Sequence, residues 1–519
     1  MNKLKYILCA VALLPFVIGC KQELLETAPS DSGAVNEVLK NVGSAQVLLD
    51  GTYSLFFDAG WSVEGNYHQA SMPLFHVLAA DVMGDDFYLA SMGSGWFWFD
   101  QNYNVKPRFS SSAWRSYDVW NAYYHMITQT NYMINASKTM SGDKDEVELY
   151  AGQAYALRAY AYFQLAQWFC RDVKFFPSDP GVPLYTEVTT KETPGKPRGL
   201  ITDVYKQINA DLDQAITLLT GKGQVKKSYI DEAIAYTMKA RVNMTEGNWS
   251  GMKDATEKAL AAAKNRGVMI SKQKGMNSIN EPDVVWGFEI ISSQSKQWAA
   301  LFSHMDHRTK YGQRANKRFS IGMYDRISDT DFRKTAWFLP LYTVEKDENG
   351  NESKELVGYN QTKFQWAGDP SSTLGDYIYM RIEEIYLMLA EAECRLGNDT
   401  KAREYLMTLM KERDPEYSAD TLSGVELGEK TTDRTGSLLE AIIDQRRIEL
   451  FGEYGRIFDI RRLGQTMVRR AEDGHPNTLG NRYFGKDSYA WVLTIPQAEF
   501  DGNKSLSFEK DQNPVGDKK

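Results

Sequence analysis

The chain has 519 residues, of which 43% are hydrophobic and 25% charged, which is typical of a folded globular protein with a large core. The formal net charge is −8 and the basic residues are scattered, so nothing indicates nucleic-acid binding or electrostatic docking on an anionic membrane. Aromatic residues make up 12% of the chain and include 12 tryptophans, a generous share that a function should explain.

The N-terminal segment predicts secretion followed by lipid attachment. Two lysines precede an apolar run from Tyr6 to Ile18, which is shorter than the ~20 residues that a membrane-spanning helix needs, so residues 1–19 are predicted to be a signal peptide. The stretch Val-Ile-Gly-Cys ending at Cys20 resembles the bacterial lipoprotein box, in which the cysteine is acylated and becomes the first mature residue. An ordinary signal peptide with a stray cysteine is the alternative. Residues 20–34 are polar and are predicted to be a tether.

Helical periodicity dominates the body of the chain. In ELYAGQAYALRAYAYFQLAQWF, large residues recur at alternating spacings of 4 and 3, beside a second stripe of small residues that would let another helix approach closely. Further helical patterns occur near 36–58, 113–138, 199–221, 228–265, 376–413 and 436–463. Cys170 and Cys394 both lie in helical patterns and are expected to be buried, unpaired side chains.

Two of the helical segments share the pattern Y-x3-A-x6-G-N. One copy contains Tyr236, Ala240, Gly247 and Asn248, and the other contains Tyr386, Ala390, Gly397 and Asn398. In each copy the glycine can end a helix in a left-handed cap, and a second amphipathic helix follows. The pattern therefore predicts a helix–turn–helix hairpin used twice, which resembles divergent tetratricopeptide units serving as scaffold.

Two irregular regions, roughly 59–112 and 268–375, separate the helical segments and hold seven of the tryptophans: Trp61, Trp96, Trp98, Trp286, Trp298, Trp337 and Trp366. Long loops in a compact protein are usually functional or disordered, and the high tryptophan content argues against disorder. The helices are thus predicted to form the structural scaffold, and the aromatic loops are predicted to carry the function.

The segment SGWFWFD is the main candidate for a ligand site. In an extended segment, Trp96 and Trp98 would share one side, which could face solvent, while Phe97 and Phe99 would face the scaffold. A tryptophan presents a wide face and a ring N–H donor, which suits a ligand with both C–H and O–H groups. The alternative is that all four rings fill a core.

Polar side chains near these rings are predicted to donate or accept hydrogen bonds to ligand hydroxyls, and one further tryptophan is predicted as an opposing ring. The candidates are Asp100, Gln101, Asn102 and Arg108 beside the rings, Asp85 and Asp86 in the preceding loop, and Trp298 in the second irregular region.

Motifs at the C-terminal end carry a family resemblance. The segment QRRIELFGEYGRIFDIRRLG is similar to the signature R-x-x-E-L-x-x-E-G-x-R-x-x-D-L-x-R of the SusD/RagB family of surface nutrient-binding lipoproteins, with Tyr454 where glycine is usual. The tail WVLTIPQAEFDGNKSLSFEKDQNP resembles the family ending, with Thr494 and Lys504 replacing two prolines. YMRIEEIYLMLAEAECRLGN and LRAYAYFQLAQWF resemble its helical signatures. The signature residues are Arg446 or Arg447, Glu449, Leu450, Glu453, Arg456, Asp459 and Arg462.

The resemblance implies a mainly α fold: a scaffold of tetratricopeptide-like helical hairpins with a large, loop-rich ligand-binding region and minor β hairpins. It divides the mature chain into an N-terminal helical part, 35–270, and a C-terminal part, 271–519. It further implies a lipid-anchored protein on the outer face of the outer membrane, which captures oligosaccharides and hands them to a SusC-like TonB-dependent transporter as its lid. Because some members of the family resemble peptide receptors, an oligopeptide is the alternative ligand.

The residues themselves give little support for an enzyme. Nucleophile-elbow, P-loop, HExxH and GxGxxG motifs are absent, so a surface glycan hydrolase is the less favoured class. The residues Arg446, Glu449, Glu453 and Arg456 would share one face of a helix, where alternating charge predicts a structural network rather than a catalytic pair.

No cofactor is predicted. His304 and His307 with Asp306, and separately Asp325, Asp329 and Asp331, are weak candidates for a metal site, and a structural calcium ion is unsupported. The stretch DENGNE at 347–352 resembles a calcium loop only faintly, and its Asn349-Gly350 pair predicts a tight hairpin turn instead.

Overall fold

The protein is described here by a computed structural model covering residues 39–58, 62, 65–70, 72–103, 110–272, 275–295, 299–476 and 482–515. The fold is mainly helical with small antiparallel sheets, as predicted. The signal peptide, the tether and Cys20 lie outside the described residues. Among the described helices, none is both long enough and apolar enough to cross a membrane.

The described helices follow one another along the whole chain. They are α1 (Val42–Ser54), α2 (Pro73–Val82), α3 (Trp98–Gln101), α4 (Trp114–Ala136), α5 (Lys144–Phe169), α6 (Ile201–Leu219), α7 (Glu232–Glu246), α8 (Trp249–Asn265), α9 (Leu301–Met305), α10 (Lys310–Arg314), α11 (Ile321–Tyr324), α12 (Phe332–Ala336), α13 (Ile382–Arg395), α14 (Asp399–Met410), α15 (Leu438–Glu449), α16 (Arg456–Leu463), α17 (Gln497–Gly502) and α18 (Phe508–Asp511).

The predicted helical hairpins are confirmed. Helix α7 packs on α8, and α13 packs on α14. Gly247 and Gly397 end the first helix of each pair with φ of 74° and 79°, which a residue without a Cβ adopts readily. The next backbone N–H, of Asn248 or Asn398, then reaches back to a carbonyl five residues earlier, at 2.9 and 2.8 Å. The same turn therefore appears twice.

Three small sheets join the helical parts. The described strands are β1 (Phe87–Leu89), β2 (Val284–Phe288), β3 (Lys317–Phe319), β4 (Phe338–Lys346), β5 (Glu352–Gln361), β6 (Tyr377–Arg381), β7 (Met467–Arg469) and β8 (Arg482–Phe484). The largest sheet has the antiparallel order β1-β3-β5-β4, and β2-β6 and β7-β8 are separate pairs. The hairpin predicted at Asn349-Gly350 joins β4 to β5, and Gly350 has a φ of 80°.

The two regions predicted to be irregular contain more regular structure than the sequence indicated. Helix α2 lies in the first, and the strands β2 to β5 lie in the second. Trp286, Trp337 and Trp366 are buried in the main hydrophobic core, so these three rings are packing residues rather than loop platforms. Trp61 and Trp298 lie outside the described residues.

Two predicted helices are interrupted. Residues 377–381 form strand β6, since this run of aromatic and branched residues pairs with β2 before the helix begins. The segment 436–463 is two helices, because Gly452 and Gly455 adopt positive φ values of 78° and 100° between them. The prediction that Glu449, Glu453 and Arg456 share one helical face is therefore wrong.

The charged residues of this segment nevertheless form a structural network, and it is buried. Glu449 accepts hydrogen bonds from three arginines at 2.8–3.0 Å. Glu453 pairs with Arg381 and with Lys363, and Arg446 pairs with Asp459. These side chains tie the turn between α15 and α16 to the strand β6 and to the sheet.

Candidate functional site

Five aromatic and imidazole rings meet at one place on the surface, and we call them the aromatic cluster: His68, Trp96, Phe97, His304 and Tyr311. Trp96 and Tyr311 stack with ring centroids 3.9 Å apart and planes inclined by 18°. His68 is nearly parallel to Trp96, at 5.4 Å and 6°. His304 stands edge-on to Trp96, Phe97 and Tyr311, at 5.2–5.5 Å.

The outer rings of the cluster are accessible to solvent. Trp96, His68 and Tyr311 are half-buried, whereas Phe97 and His304 are completely buried. The neighbouring side chains of Tyr67 and Met92 are 43% and 52% exposed. The cluster therefore presents an apolar, ring-rich patch at the surface, with a polar edge supplied by the imidazole and the phenol.

The segment SGWFWFD is not extended, so the predicted alternation is wrong in its geometry. Phe97 has a φ of 63°, and the short helix α3 starts at the next residue. The backbone N–H of Phe97 donates to Gln69 Oε1 at 2.6 Å, which holds the left-handed turn. Trp96, Trp98 and Phe99 are all half-buried, and only Phe97 of the four rings is fully buried. The Trp98 ring packs partly against the core.

Side chains beside this segment fix its backbone. Arg115 donates to both carboxylate oxygens of Asp100 at 2.9 and 3.0 Å, and to the carbonyl of Gln69 at 2.5 Å. The Gln101 amide bonds to both backbone groups of Leu89, so it extends strand β1. Asp100 and Gln101 are buried structural residues, contrary to the prediction that they bind ligand hydroxyls.

Close contact between the loop after β1 and helix α10 brings Trp96 to Tyr311. The backbone N–H of Ser94 donates to the carbonyl of Arg314 at 3.1 Å. A Cβ on Gly93, whose φ is 50°, would lie 1.7 Å from that same carbonyl oxygen, so only glycine fits. The glycines before the tryptophan therefore allow the loop after β1 to dock against α10.

The acidic residues predicted in the preceding loop form ion pairs with arginines of the C-terminal signature segment. Asp85 pairs with Arg456 at 2.8 Å, and Asp86 pairs with Arg447 at 2.5 Å; Asp85, Asp86 and Arg456 are buried, and Arg447 is half-buried. These ion pairs hold the end of α2 against the C-terminal signature segment. The sequence did not indicate these ion pairs, because two consecutive aspartates after a glycine look the same whether they face solvent or an arginine.

The remaining predicted site residues have separate outcomes. The Asn102 amide donates to the carbonyl of Trp98 at 2.7 Å and so serves the end of α3. Arg108, Trp298 and Cys20 lie outside the described residues. Sequence reasoning missed His68 and Tyr311, which lie 28 residues before and 215 residues after Trp96, and no local pattern marks them.

The weak metal candidates have other partners. Asp306 is bound by Arg308 at 2.7 Å and by the backbone N–H of Trp366 at 3.0 Å. Asp331 caps α12 and pairs with Arg333, and Asp329 pairs with Lys334. Across the described residues, no group of three histidine, cysteine or acidic side chains is placed to hold a metal ion.

A polar groove of about 590 Å³ lies elsewhere, between α6, α7 and α8. Its charged groups are already paired with each other, Lys239 with Asp213 and Lys258 with Asp254, both at 2.8 Å. The aromatic cluster, with its exposed apolar faces, is the better candidate for a ligand site on a helical scaffold.

Comparisons with known proteins agree with this fold. Residues 72–244 match a family model described as SusD-like, starch-binding associating with outer membrane, and residues 335–515 match the model of the SusD family. These two matches together span most of the chain, and the protein belongs to the SusD family.

Individual relatives cover nearly the whole chain. SusD-like protein P2 of Formosa agariphila is 23% identical, with 96% of this chain and 95% of the relative aligned. A SusD-like carbohydrate binding protein of Bacteroides vulgatus superposes with a TM-score of 0.73 at 24% identity, covering 90% of this chain and 97% of that one. Surface glycan-binding protein A of Bacteroides fluxus gives a TM-score of 0.64 at 18% identity, covering 91% and 99%.

Proposed function

We propose that this protein is a non-catalytic cell-surface lipoprotein that captures oligosaccharides at the aromatic cluster. It hands them to a SusC-like TonB-dependent transporter in the outer membrane, which it covers as a lid. The observation that carries the ligand class is the half-exposed Trp96, stacked in a cluster whose rim carries an imidazole and a phenol.

A sugar ring has C–H faces that pack on aromatic rings and hydroxyls that need hydrogen-bond partners. The cluster supplies both kinds of contact, because the tryptophan offers a broad face and His68 offers a polar imidazole beside it. The names of the carbohydrate-binding and glycan-binding structures that share this fold support the same ligand class. The outer-membrane description of the family model supports the location.

A glycan and peptide microarray followed by calorimetric titration tests the proposal. For the glycan that binds best, Trp96→Ala should weaken the binding free energy by roughly 1–3 kcal/mol. This is the scale measured when nucleic-acid bases stack on aromatic side chains. Because the ring is half-exposed, its loss should lower the free energy of unfolding by less than the roughly 3–5 kcal/mol of a buried tryptophan.

Trp249→Ala is the matched control. Trp249 is also half-buried, but it starts helix α8 and contacts Lys174 and Arg395, outside the cluster. Its replacement should leave glycan affinity unchanged. Binding of peptides instead of glycans, or equal glycan affinity in the Trp96 and Trp249 variants, would contradict the proposal.

A further inference from the structure

A poorly hydrogen-bonded histidine lies directly beneath the half-buried rings. His304 is 1% exposed, and neither ring nitrogen makes a well-aligned hydrogen bond to a described residue, although the His68 backbone is close enough for a weak one that acts against the lowering of its pKa by burial. Its neighbours are ring faces, including Phe75 at 5.2 Å in addition to the rest of the cluster. Buried polar groups are rarely left unsatisfied, since each costs about 1–3 kcal/mol.

A buried lysine lies beside this histidine without a carboxylate. Lys317 is 2% exposed, and its ammonium donates to the carbonyls of His304 and Ala315 at 3.1 and 3.0 Å. An ammonium has three donors, so one remains for another acceptor. Among the described residues no carboxylate forms an ion pair with it, whereas the other buried lysine of the sheet region, Lys363, pairs with Glu453.

Tyr311 and His68 together cover one face of Trp96. Their ring centroids are 6.0 Å apart, and at that distance both must lie over the same face of the tryptophan. The Tyr311 hydroxyl is hydrogen-bonded to His68 Nδ1. The two rings therefore stack on Trp96 as a ligand with a flat face and polar edge groups would. Tyr311 belongs to α10, a five-residue helix in which Lys310, Gln313 and Arg314 are exposed.

We propose that the aromatic cluster is the closed form of a site for an anionic sugar, in which the ligand displaces Tyr311 from Trp96 and its anionic group reaches Lys317. This inference rests on the proposed function and adds the ligand class. The sugar ring takes the place of the phenol on the tryptophan. Its carboxylate or sulfate ester accepts a hydrogen bond from the remaining N–H of the Lys317 ammonium, and His304 hydrogen-bonds to an adjacent oxygen. Both buried groups thereby gain the partners that they lack in the closed form.

The test uses the full-length protein in detergent and matched pairs of oligosaccharides that differ only in charge. One pair is oligogalacturonate and its methyl ester, and the other is a sulfated galactan oligomer and its desulfated form, so that a carboxylate and a sulfate are distinguished. Calorimetry should show the charged member of at least one pair binding roughly 10- to 100-fold more tightly, as expected for a charge-assisted hydrogen bond. Lys317→Met should reduce that preference to less than about three-fold, while the affinity for the neutral form is retained.

Two further variants keep the proposal falsifiable if Lys317→Met fails to fold. His304→Phe should weaken binding of the charged form more than the neutral form. Tyr311→Ala should strengthen binding of the charged form, because the competing ring is gone, whereas a tyrosine that served as a sugar platform would weaken binding on removal. Lys334→Met, which removes a lysine paired with Asp329 outside the cluster, is the control for net charge.

The outcomes separate this inference from the proposed function. Equal binding of charged and neutral forms, or a preference that survives Lys317→Met, overturns the anionic site and leaves glycan binding intact. Failure of every glycan to bind overturns both proposals. If Tyr311→Ala binds the charged form more weakly than the wild type does, the inference that the ligand displaces this ring is overturned.

Discussion

Three buried cations converge on Glu449. Arg333, Arg381 and Arg413 come from α12, the end of β6 and the turn after α14, and each donates to its carboxylate. These cations hold the pKa of Glu449 well below its ordinary value, although burial acts in the opposite direction. One carboxylate therefore joins three separate elements of the C-terminal part.

Removing the charge of Glu449 should be strongly destabilising. Glu449→Gln leaves three buried guanidinium groups without their shared counter-charge, which should lower the free energy of unfolding by about 3–5 kcal/mol. Urea unfolding followed by circular dichroism measures the effect. Glu404→Gln is the control, because Glu404 forms an exposed pair with Lys401 whose loss should change stability by less than about 1 kcal/mol. Equal effects of the two variants would contradict the role of the network.

Lys317 should make stability depend on pH in a definite direction. Burial lowers the pKa of this amine to about 7, whereas in the unfolded chain it stays protonated up to about pH 10. Between these values the unfolded chain binds more protons, so the contribution of this residue to the free energy of unfolding rises as the pH rises. A titratable group that lies beside this amine in the cluster is His304.

The measurement is urea unfolding of the wild type and of Lys317→Met between pH 6 and pH 10. The stability of the wild type relative to the variant should increase across this range. A difference that stays flat, or that falls as the pH rises, would show that the buried amine keeps its proton.

The site could be predicted from the sequence only in part. Trp96 was found because four consecutive rings after glycines and serines are unusual in a core helix. His68, His304 and Tyr311 join it through tertiary contacts, and a loop sequence does not encode which distant loop it will contact. The ion pairs of Asp85, Asp86 and Asp100 could not be predicted for the same reason, since their arginine partners lie far away in the chain or on a helix face that the sequence did not single out.

At the scale of elements, the helical hairpins depend on glycines with positive φ. Gly397 has a φ of 79° and no atom within 4 Å of the place that a Cβ would occupy, so a substitution there meets backbone strain alone. Gly51, inside helix α1, has equally open surroundings and no positive φ. These two glycines separate the effect of backbone conformation from the effect of crowding.

Gly397→Ala should therefore lower the free energy of unfolding by about 1–2 kcal/mol, the cost of a left-handed alanine. Gly51→Ala should raise it by roughly 0.5–1 kcal/mol, because alanine restricts the unfolded chain and suits a helix. Thermal and urea unfolding of the two single variants measure the decrease and the increase in the free energy of unfolding. Destabilisation by both substitutions to the same extent would contradict the assignment of Gly397 as a left-handed cap.

The sequence predicted regular elements where one periodicity ran uninterrupted. The helices α4, α5 and α6 and the β4–β5 hairpin were predicted close to their observed bounds. The breaks at β6 and at Gly452 were missed, because apolar residues keep a helical spacing across both of them. In each case a distant part of the chain determines where the helix breaks. Strand β2 pairs with β6, and the Lys363 ammonium donates to the carbonyls of Glu449 and Phe451 in the turn after α15.

At the scale of the whole molecule, the proposed lipid anchor fixes where the aromatic cluster can act. The lipoprotein-like sequence ending at Cys20 is followed by a polar tether before the first described helix at Val42. Cys20→Ala should leave the protein without its lipid and release it from the membrane fraction when the transporter is absent. Fractionation of cells with metabolic fatty-acid labelling measures both properties. A variant that stays membrane-bound without the transporter would contradict the anchor.

The proposed transporter complex is the last property that belongs to the whole molecule. Pull-down from membranes solubilised in mild detergent at low salt should recover an equal amount of a much larger TonB-dependent barrel. We expect the contact to involve mainly helical surface, where the polar groove between α6, α7 and α8 offers exposed charges of both signs. Lys258→Glu on α8 should then lower recovery of the barrel, because it reverses an exposed charge at the groove. Lys354→Glu on the exposed β4–β5 hairpin should leave recovery unchanged. Recovery of the protein alone would contradict the partnership, and equal loss in both variants would contradict the helical contact.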